Sequence, residues 1–221
     1  MGELSQVTGV PVATLKYYLR EGLLHAGEAT AVNQADYDDT HVKRVKLVWG
    51  LLQLGRLSIA DARQVIAAVD DESMSIHDAF GVAQDAMVPS RERDDERYAA
   101  AMVEVDRFVR RHGLRVRPDA AVRLMLADAL VGLDECGLLP EGLEVDASMF
   151  DDLVGPLVAL AAAEVGTTPM DASRAEQVEH TVVGTIVFEV AYAALRRMAL
   201  EHASAALFPA SKRRRQERPR Q

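Results

Sequence analysis

Hydrophobic positions along this chain recur almost everywhere at helical spacing rather than in strand-like alternation. Leu4 and Val7 fall on the inward side of a first helix over residues 2–8, and Val12, Leu15 and Leu19 on one side of a second from Pro11 to Arg20. At about 100° per residue, Ala13, Thr14 and Tyr17 then point outward, with Lys16 and Arg20 on one flank and Tyr18 on the other. Gly9 suits a left-handed stop between the two, and Pro11 a first-turn position. A polar, Gly-containing stretch from His25 to Tyr37 reads as a poor helix. The next helix runs from about Thr40 to Leu54, with Val42, Val45, Trp49 and Leu52 inward and Gly55 as its stop. Ser58-Ile59-Ala60-Asp61 has the form of a capping box and opens a helix with Ile59, Ala62, Val65, Ile66 and Val69 on one side.

The helical pattern continues to the end. Ser75-Ile76-His77-Asp78 is a second capping box, ahead of Phe80, Ala83 and Met87. Pro89-Ser90 breaks that helix, and a charged one follows from about Arg91 to His112. It carries Tyr98, Met102, Val105 and Val109 at 4-3-4 spacing, a heptad seam of about two repeats. Pro118 starts a helix ending at Cys136-Gly137, with Val122, Met125, Leu126, Ala129, Leu130 and Leu133 inward. Leu138 to Ala147 is a loop with Pro140 and Gly142, and Ser148 caps a helix to about Val165 that Gly155-Pro156 should kink. The last and longest helix spans about Ser173 to Phe208. Val178, Val182, Val183, Ile186, Val187, Val190, Ala194, Leu195 and Met198 form its broad stripe, with Phe188 and Tyr192 off it, so both sides are expected to be covered by neighbours. The fold class is mainly α, without repeats.

Helix, tight glycine turn and second helix make a helix-turn-helix, and the outward face of the second helix suits a DNA major groove. Small or hydrogen-bonding side chains lie over base edges, while cations and hydroxyls at the flanks reach phosphates. A plain amphipathic hairpin is the bland alternative; the order of residues argues against it. Gly2-Glu3-Leu4-Ser5, Thr8-Gly9-Val10, Thr14-Leu15-Lys16-Tyr17-Tyr18 and Gly22-Leu23-Leu24 match in register the opening of the MerR family of transcriptional regulators, G-E-L-A-x-x-T-G-V-x-x-x-T-L-R-Y-Y-E-x-x-G-L-L. Leu54-Gly55-Arg56-Leu57-Ser58 resembles the family's L-G-x-S junction with one extra residue. The resemblance covers residues 1–69.

That resemblance implies a winged helix-turn-helix head over residues 1–70, with a small β-hairpin wing at His25–Tyr37, followed by an all-helical C-terminal domain. Ala13, Thr14 and Tyr17 would lie over bases. Lys16, Tyr18 and Arg20 would hold phosphates, aided by Lys43, Arg44 and Lys46. It also implies a homodimer on a palindrome that distorts an overlong promoter spacer for RNA polymerase, joined through a helix after the head. The seam Tyr98, Met102, Val105 and Val109 is placed for that role, or for packing on its own domain. One departure stands out. The family's wing holds arginines and a G-Y-R-x-Y ending, whereas this chain has Glu28-Ala29 and Asn33-Gln34-Ala35-Asp36-Tyr37, of which only Tyr37 matches.

Charge distribution agrees with this division. The 221 residues carry a net charge of −9, yet residues 1–70 hold 7 Lys+Arg against 8 Asp+Glu, and residues 71–208 hold 12 against 25. The last thirteen, 209–221, hold 6 against 1 and read as a disordered basic tail. Acidity therefore sits away from the head. Arginine outnumbers lysine 21 to 4, a hint of a GC-rich bacterial genome. With one cysteine, no signal peptide and no apolar run read as a membrane span, the cytoplasm is the expected setting.

No metal, cofactor or enzyme chemistry is expected. His25, His41, His77, His112, His180 and His202 lack ligand spacing in sequence, and Cys136 alone cannot supply a thiolate pair. Nucleophile elbow, phosphate loop and HExxH signatures are missing. Residues 71–113 would connect the head to a helical domain at 114–208, where Phe188, Tyr192 and Met198 are the candidate walls of a pocket for a small organic effector. Two other classes remain from sequence alone: an excisionase-like DNA-bending protein, and a helical ligand- or protein-binding module with a vestigial head.

Overall fold

The computed structural model describes residues 1–31, 34–88, 95–138 and 146–208. Helices α1 (Gly2–Thr8) and α2 (Val12–Arg20) precede a two-stranded antiparallel hairpin, β1 (Glu28–Ala31) and β2 (Gln34–Asp36). Then come α3 (Asp39–Trp49), a π-helical turn (Gly50–Leu54), α4 (Ile59–Asp70), α5 (Ile76–Met87), α6 (Glu96–Arg111), α7 (Ala121–Glu135), a 3-10 turn (Ala147–Phe150), α8 (Asp151–Val165) and α9 (Arg174–Leu207). Ser148, expected to cap the helix to Val165, instead lies inside the 3-10 turn, which Asp146 caps by accepting from the Ser148 N–H at 2.8 Å; the other serines sit where expected. Ser58, Ser75 and Ser173 each accept from the backbone N–H three residues on, and Glu176 closes a full capping box with Ser173. Asn33, Pro140, Gly142 and the basic tail lie outside the described residues.

Helix α3 does not simply stop at Gly55. It passes into the π-helical turn, closed by Gly55 N–H donating to the Gly50 carbonyl at 2.9 Å. The left-handed residue is Arg56 (φ 54), one position later than the sequence suggested. Gly55 is needed for another reason: a Cβ there would lie 2.9 Å from the Leu51 carbonyl oxygen and from Leu57 Cδ1. A π turn takes up one residue more than an α turn, so it absorbs the extra residue in the Leu54–Ser58 junction. Trp49, expected inward, is largely exposed, because Val45, Val48 and Leu51 set the buried side.

Among the described residues, the buried hydrophobic side chains form two cores. The first joins Leu4, Leu15, Tyr18, Leu23, Val45, Val48, Leu51, Val65 and Val69 to Val178, Val182 and Ile186 of α9. The long helix thus packs its first half into the N-terminal head, across the division expected at residue 114. The second core joins Ala101, Val105, Phe108 and Val109 of α6 to Ala127, Leu130 and Val131 of α7. This corrects the expected dimer seam. Val105 and Val109 are buried within their own chain, with Tyr98 and Met102 half-buried on the same core, so a charge at Val105 would enter this domain's interior rather than a subunit interface. The α7 stripe is also rotated by about one residue, leaving Met125 exposed and Ala127 buried.

Ion pairs join the pieces. Asp85 of α5 accepts from the Arg117 guanidinium and from the Ala121 N–H at the start of α7. Arg174, at the start of α9, donates to the carbonyls of Met74 (2.6 and 2.9 Å) and Val69 (2.9 Å). Deeper in, Arg44 of α3 is buried. Its two terminal nitrogens grip the Asp70 carboxylate, with Nη1 to Oδ2 at 3.0 Å, and its Nε lies 3.4 Å from Glu179 Oε1 of α9. Burial pushes the Glu179 carboxyl above its ordinary value, with Arg44 pulling the other way.

The second half of α9 is not the covered central helix expected. Val187, Val190, Leu195, Met198 and Leu200 are exposed, as are Leu153, Leu157 and Val158 of α8. Helix α9 is long and apolar enough to cross a membrane by length and composition, against the expectation that no segment is. Its first half, however, is held in the head's core, and Glu179 there is engaged by Arg44.

Removing one partner of a buried ion pair strands the other's charge. Asp70 is half-exposed and can be solvated, so the cost falls on enclosed Glu179, and Arg44→Ala is expected to destabilise the folded chain by about 1–3 kcal/mol, read as a fall in the urea midpoint. Unchanged stability would show that the cluster does not tie α9 to the head.

Candidate nucleic-acid interface

The helix-turn-helix is fixed by a short set of local contacts. Gly9 adopts φ 71, ending α1, and its N–H donates to the Ser5 carbonyl at 2.9 Å. Ser5 Oγ donates to the Val10 carbonyl at 2.7 Å and Thr8 Oγ1 to the Leu4 carbonyl at 2.6 Å, so the turn's polar groups are satisfied without a partner molecule. Val7, expected inward, is exposed, and Leu4 alone anchors α1.

On α2, Leu15 is fully buried, worth roughly 2–3 kcal/mol for a leucine side chain, and Tyr18 retains only 4% of its exposure. Here the sequence reading needs correcting. The apolar arc centres between Leu15 and Tyr18, not between Leu15 and Val12, so Val12 swings into solvent and Tyr18 into the core. Burial, then the neighbouring Tyr17, pushes the Tyr18 phenol above its ordinary value. Tyr18 is a core residue, not an exposed flank for phosphates.

Ala13, Lys16 and Arg20 are exposed, and Thr14 and Tyr17 half-buried, so the outward face otherwise has the expected composition. The Arg20 guanidinium lies 5.1 Å from the centre of the Tyr17 ring, and its Nε 3.5 Å from Glu21 Oε1. Glu21 in turn is held from α4: Arg63 Nε donates to its carbonyl at 2.6 Å and Arg63 Nη2 to its carboxylate.

The basic group on α3 is split. Lys46 is exposed. Lys43 donates to the Glu176 carboxylate, which holds that acid down at about 2 and raises the lysine. Arg44 is inside the protein among carboxylates and is withdrawn from the expected phosphate grip. The contiguous run Lys43-Arg44-Val45-Lys46 looks like a cationic patch only while α9 is out of view.

The wing forms, with Glu28 opposite Asp36 and Ala29 opposite Ala35, and a register shift before Ala31. Its root is tight: a Cβ on Gly27 would lie 2.2 Å from the Asp36 carbonyl oxygen. The wing segment from His25 to Tyr37 contains no Lys or Arg, and two acids face each other across its strands. Tyr37, half-buried, packs edge-on against His41 with ring centres 5.0 Å apart.

At the wing's root, three side chains meet that looked unrelated in sequence. Asp38 caps α3 through Oδ1, accepting from Thr40 N–H at 3.0 Å and His41 N–H at 3.4 Å. Buried His41 places Nδ1 2.7 Å from the same oxygen, and its Nε2 3.5 Å from the Ala26 carbonyl. His25 lies over it with ring centres 3.9 Å apart. Burial, then the nearby His41 and Arg44, lowers the His25 imidazole, while hydrogen bonds from Thr40 and His41 pull the Asp38 carboxyl well below the usual carboxylate range.

Comparison with known proteins matches this geometry. The family model described as MerR HTH family regulatory protein matches residues 1–69. The whole chain resembles the crystal structure of SCO5550, a candidate transcriptional regulator from Streptomyces coelicolor A3(2). Identity is 32%, coverage is 95% of this chain and 98% of that one, and the TM-score is 0.74. The chain belongs to the MerR family of transcriptional regulators. A further relative, the nodulation protein NolA of Bradyrhizobium elkanii, is 44% identical over 55 residues. That match spans 25% of either chain, so it bears on this regulator's head and leaves the rest of NolA uncompared.

The Lys43–Glu176 contact gives the regulator's head a pH-dependent tie to α9. Glu176 has its ordinary value near 4.5 when free and about 2 when paired. A depressed acid contributes stability above its free value, and loses that contribution as pH falls through the paired one. Wild type should therefore melt above Glu176→Gln at neutral pH, with the gap closing between pH 4.5 and 2. A gap that stays constant over that window would exclude the pair as its source.

Proposed function

We propose that this MerR-type protein is a sequence-specific transcriptional regulator that acts in the bacterial cytoplasm as a homodimer on a promoter palindrome. The observation that carries the DNA reading is the presentation of α2. Leu15 and Tyr18 lock it into the core while Ala13, Lys16, Tyr17 and Arg20 face outward from a glycine turn closed by its own hydrogen bonds. In this reading Ala13, Thr14 and Tyr17 lie over bases in the major groove, Lys16 and Arg20 hold phosphates, and exposed Lys46 adds a third cation. The wing, with its acids, contributes little to backbone attraction. Bending of the promoter spacer for RNA polymerase follows from the family resemblance.

The dimer surface is proposed at the second half of α9 rather than at α6. An exposed apolar patch of this extent is uncommon on a monomer and marks an interface. A second copy is its occupant because family resemblance implies a homodimer and the α6 seam is already spent on the second core. The effector site is relocated on similar grounds. Phe188 borders a cleft of about 230 Å³ with Phe80, Thr181 and Thr185, but Met198 is exposed on the free half of α9. Tyr192 hydrogen-bonds the Glu164 carboxylate. A larger apolar cavity of about 420 Å³, lined by Phe108, Leu114, Leu126, Phe150, Val154 and Leu157, has the size and character of a site for a small organic molecule.

Gel-shift titrations at several salt concentrations test the DNA reading. Tyr17→Ala should weaken specific binding by ~1–3 kcal/mol. Lys16→Ala should weaken all DNA and lower the salt slope by about one unit. Tyr18→Phe should leave affinity as it is, since the Tyr18 ring is held in the core. Unaltered binding in a folded Lys16→Ala/Tyr17→Ala protein would defeat the assignment.

Sedimentation addresses the dimer. Wild type should run as a dimer and Leu195→Glu/Met198→Glu as a folded monomer with weakened operator binding. A wild type that stays monomeric even with DNA present would overturn the dimer.

A further inference from the structure

We propose that His25, Asp38 and His41 form a binding site for a divalent transition-metal ion of the zinc type at the root of the wing. One ligand atom from each residue lies within 4.8 Å of the others. Atoms bound to one zinc at about 2.1 Å sit roughly 3–3.5 Å apart, so closing the site needs a shift of the order of an ångström. His25 is exposed and supplies it by rotating its side chain. Two imidazoles and a carboxylate are a borderline donor set that suits zinc, with water completing the tetrahedron.

The state of His41 is the second observation. When its Nε2–H is given to the Ala26 carbonyl, Nδ1 carries a lone pair. In that tautomer the lone pair accepts the Asp38 N–H at 3.1 Å, closing the capping box, and lies 2.7 Å from Asp38 Oδ1; an ion at the site takes the place of that N–H contact, with the carboxylate beside it. A backbone carbonyl on the far nitrogen is how metal-binding histidines are commonly oriented. The Oδ1 half of the capping box stays and leaves Oδ2 for the ion, while the half from Asp38 N–H to His41 Nδ1 is exchanged for the metal. Thr40 Oγ1, 3.2 Å from His25 Nε2, holds that ring over the pair.

The placement has a structural consequence. His25 begins the wing, and Asp38 and His41 follow it, so one ion ties both ends of the hairpin to the start of α3. The site needs no DNA contact, so its failure and that of the regulator reading are separable.

The test is Zn²⁺ titration of the full chain carrying Cys136→Ser, which removes the exposed thiol as a competing ligand. Binding is followed by calorimetry and by the histidine ring resonances. The expected result is one ion per chain, with signals of His25 and His41 displaced and those of His77, His112, His180 and His202 unmoved. His25→Gln lies on the surface and Asp38→Asn keeps a good N-cap, so neither should unfold the protein. Each should lower affinity at least about tenfold. Absence of binding, affinity unaltered in both variants, or displacement of the other histidines instead would overturn the site.

Discussion

The tie between the head and the long helix is one ionic cluster, the enclosed Arg44 guanidinium between half-exposed Asp70 and enclosed Glu179. Three helices far apart in sequence meet there, and taking a guanidinium out of water is tolerable only because carboxylates on two sides meet it. The cluster closes the first core by seating α9 across α3 and the end of α4, with Lys43–Glu176 and Arg174 to the Met74 and Val69 carbonyls reinforcing the same junction. Orientation of the recognition helix and direction of the long helix thereby become one geometric fact. Any molecule that seats on the free half of α9 is held at a fixed attitude to α2.

Local signals were largely legible in the sequence. Ser58, Ser75 and Ser173 announce helix starts because a cap needs only residues within one turn. Gly9 announces its turn because a left-handed stop is local too. The family opening, read as an ordered set, gave the head and the wing. Tyr18, Arg44, Trp49 and Val105 were misplaced for a common reason: each has its environment set by residues far along the chain. A helical wheel gives the width of the apolar arc on α2 but not its centre, which the rest of the head decides. Arg44 reads as the middle of a basic patch until Asp70 and Glu179 arrive.

The histidine cluster shows the same limit from the other side. In sequence, His25 stands thirteen residues from Asp38 with an unremarkable polar stretch between, and no ligand spacing is visible. Only the hairpin brings its two ends together, and Gly27 permits it by letting the Asp36 carbonyl approach where a Cβ would stand. A chemical site made by a turn is legible only once the turn is known.

The wing's charge sets how such a head can hold DNA at all. Affinity drawn from phosphates grows with the number of cations that displace counterions. Here the wing contains none, Arg44 is internal and Lys43 is committed to Glu176. Lys16, Arg20 and Lys46 remain exposed, so in the proposed reading a single head gains little from counterion release. On that same reading, discrimination between sequences would come from the base-facing side chains of α2, and useful affinity from two heads acting on one site.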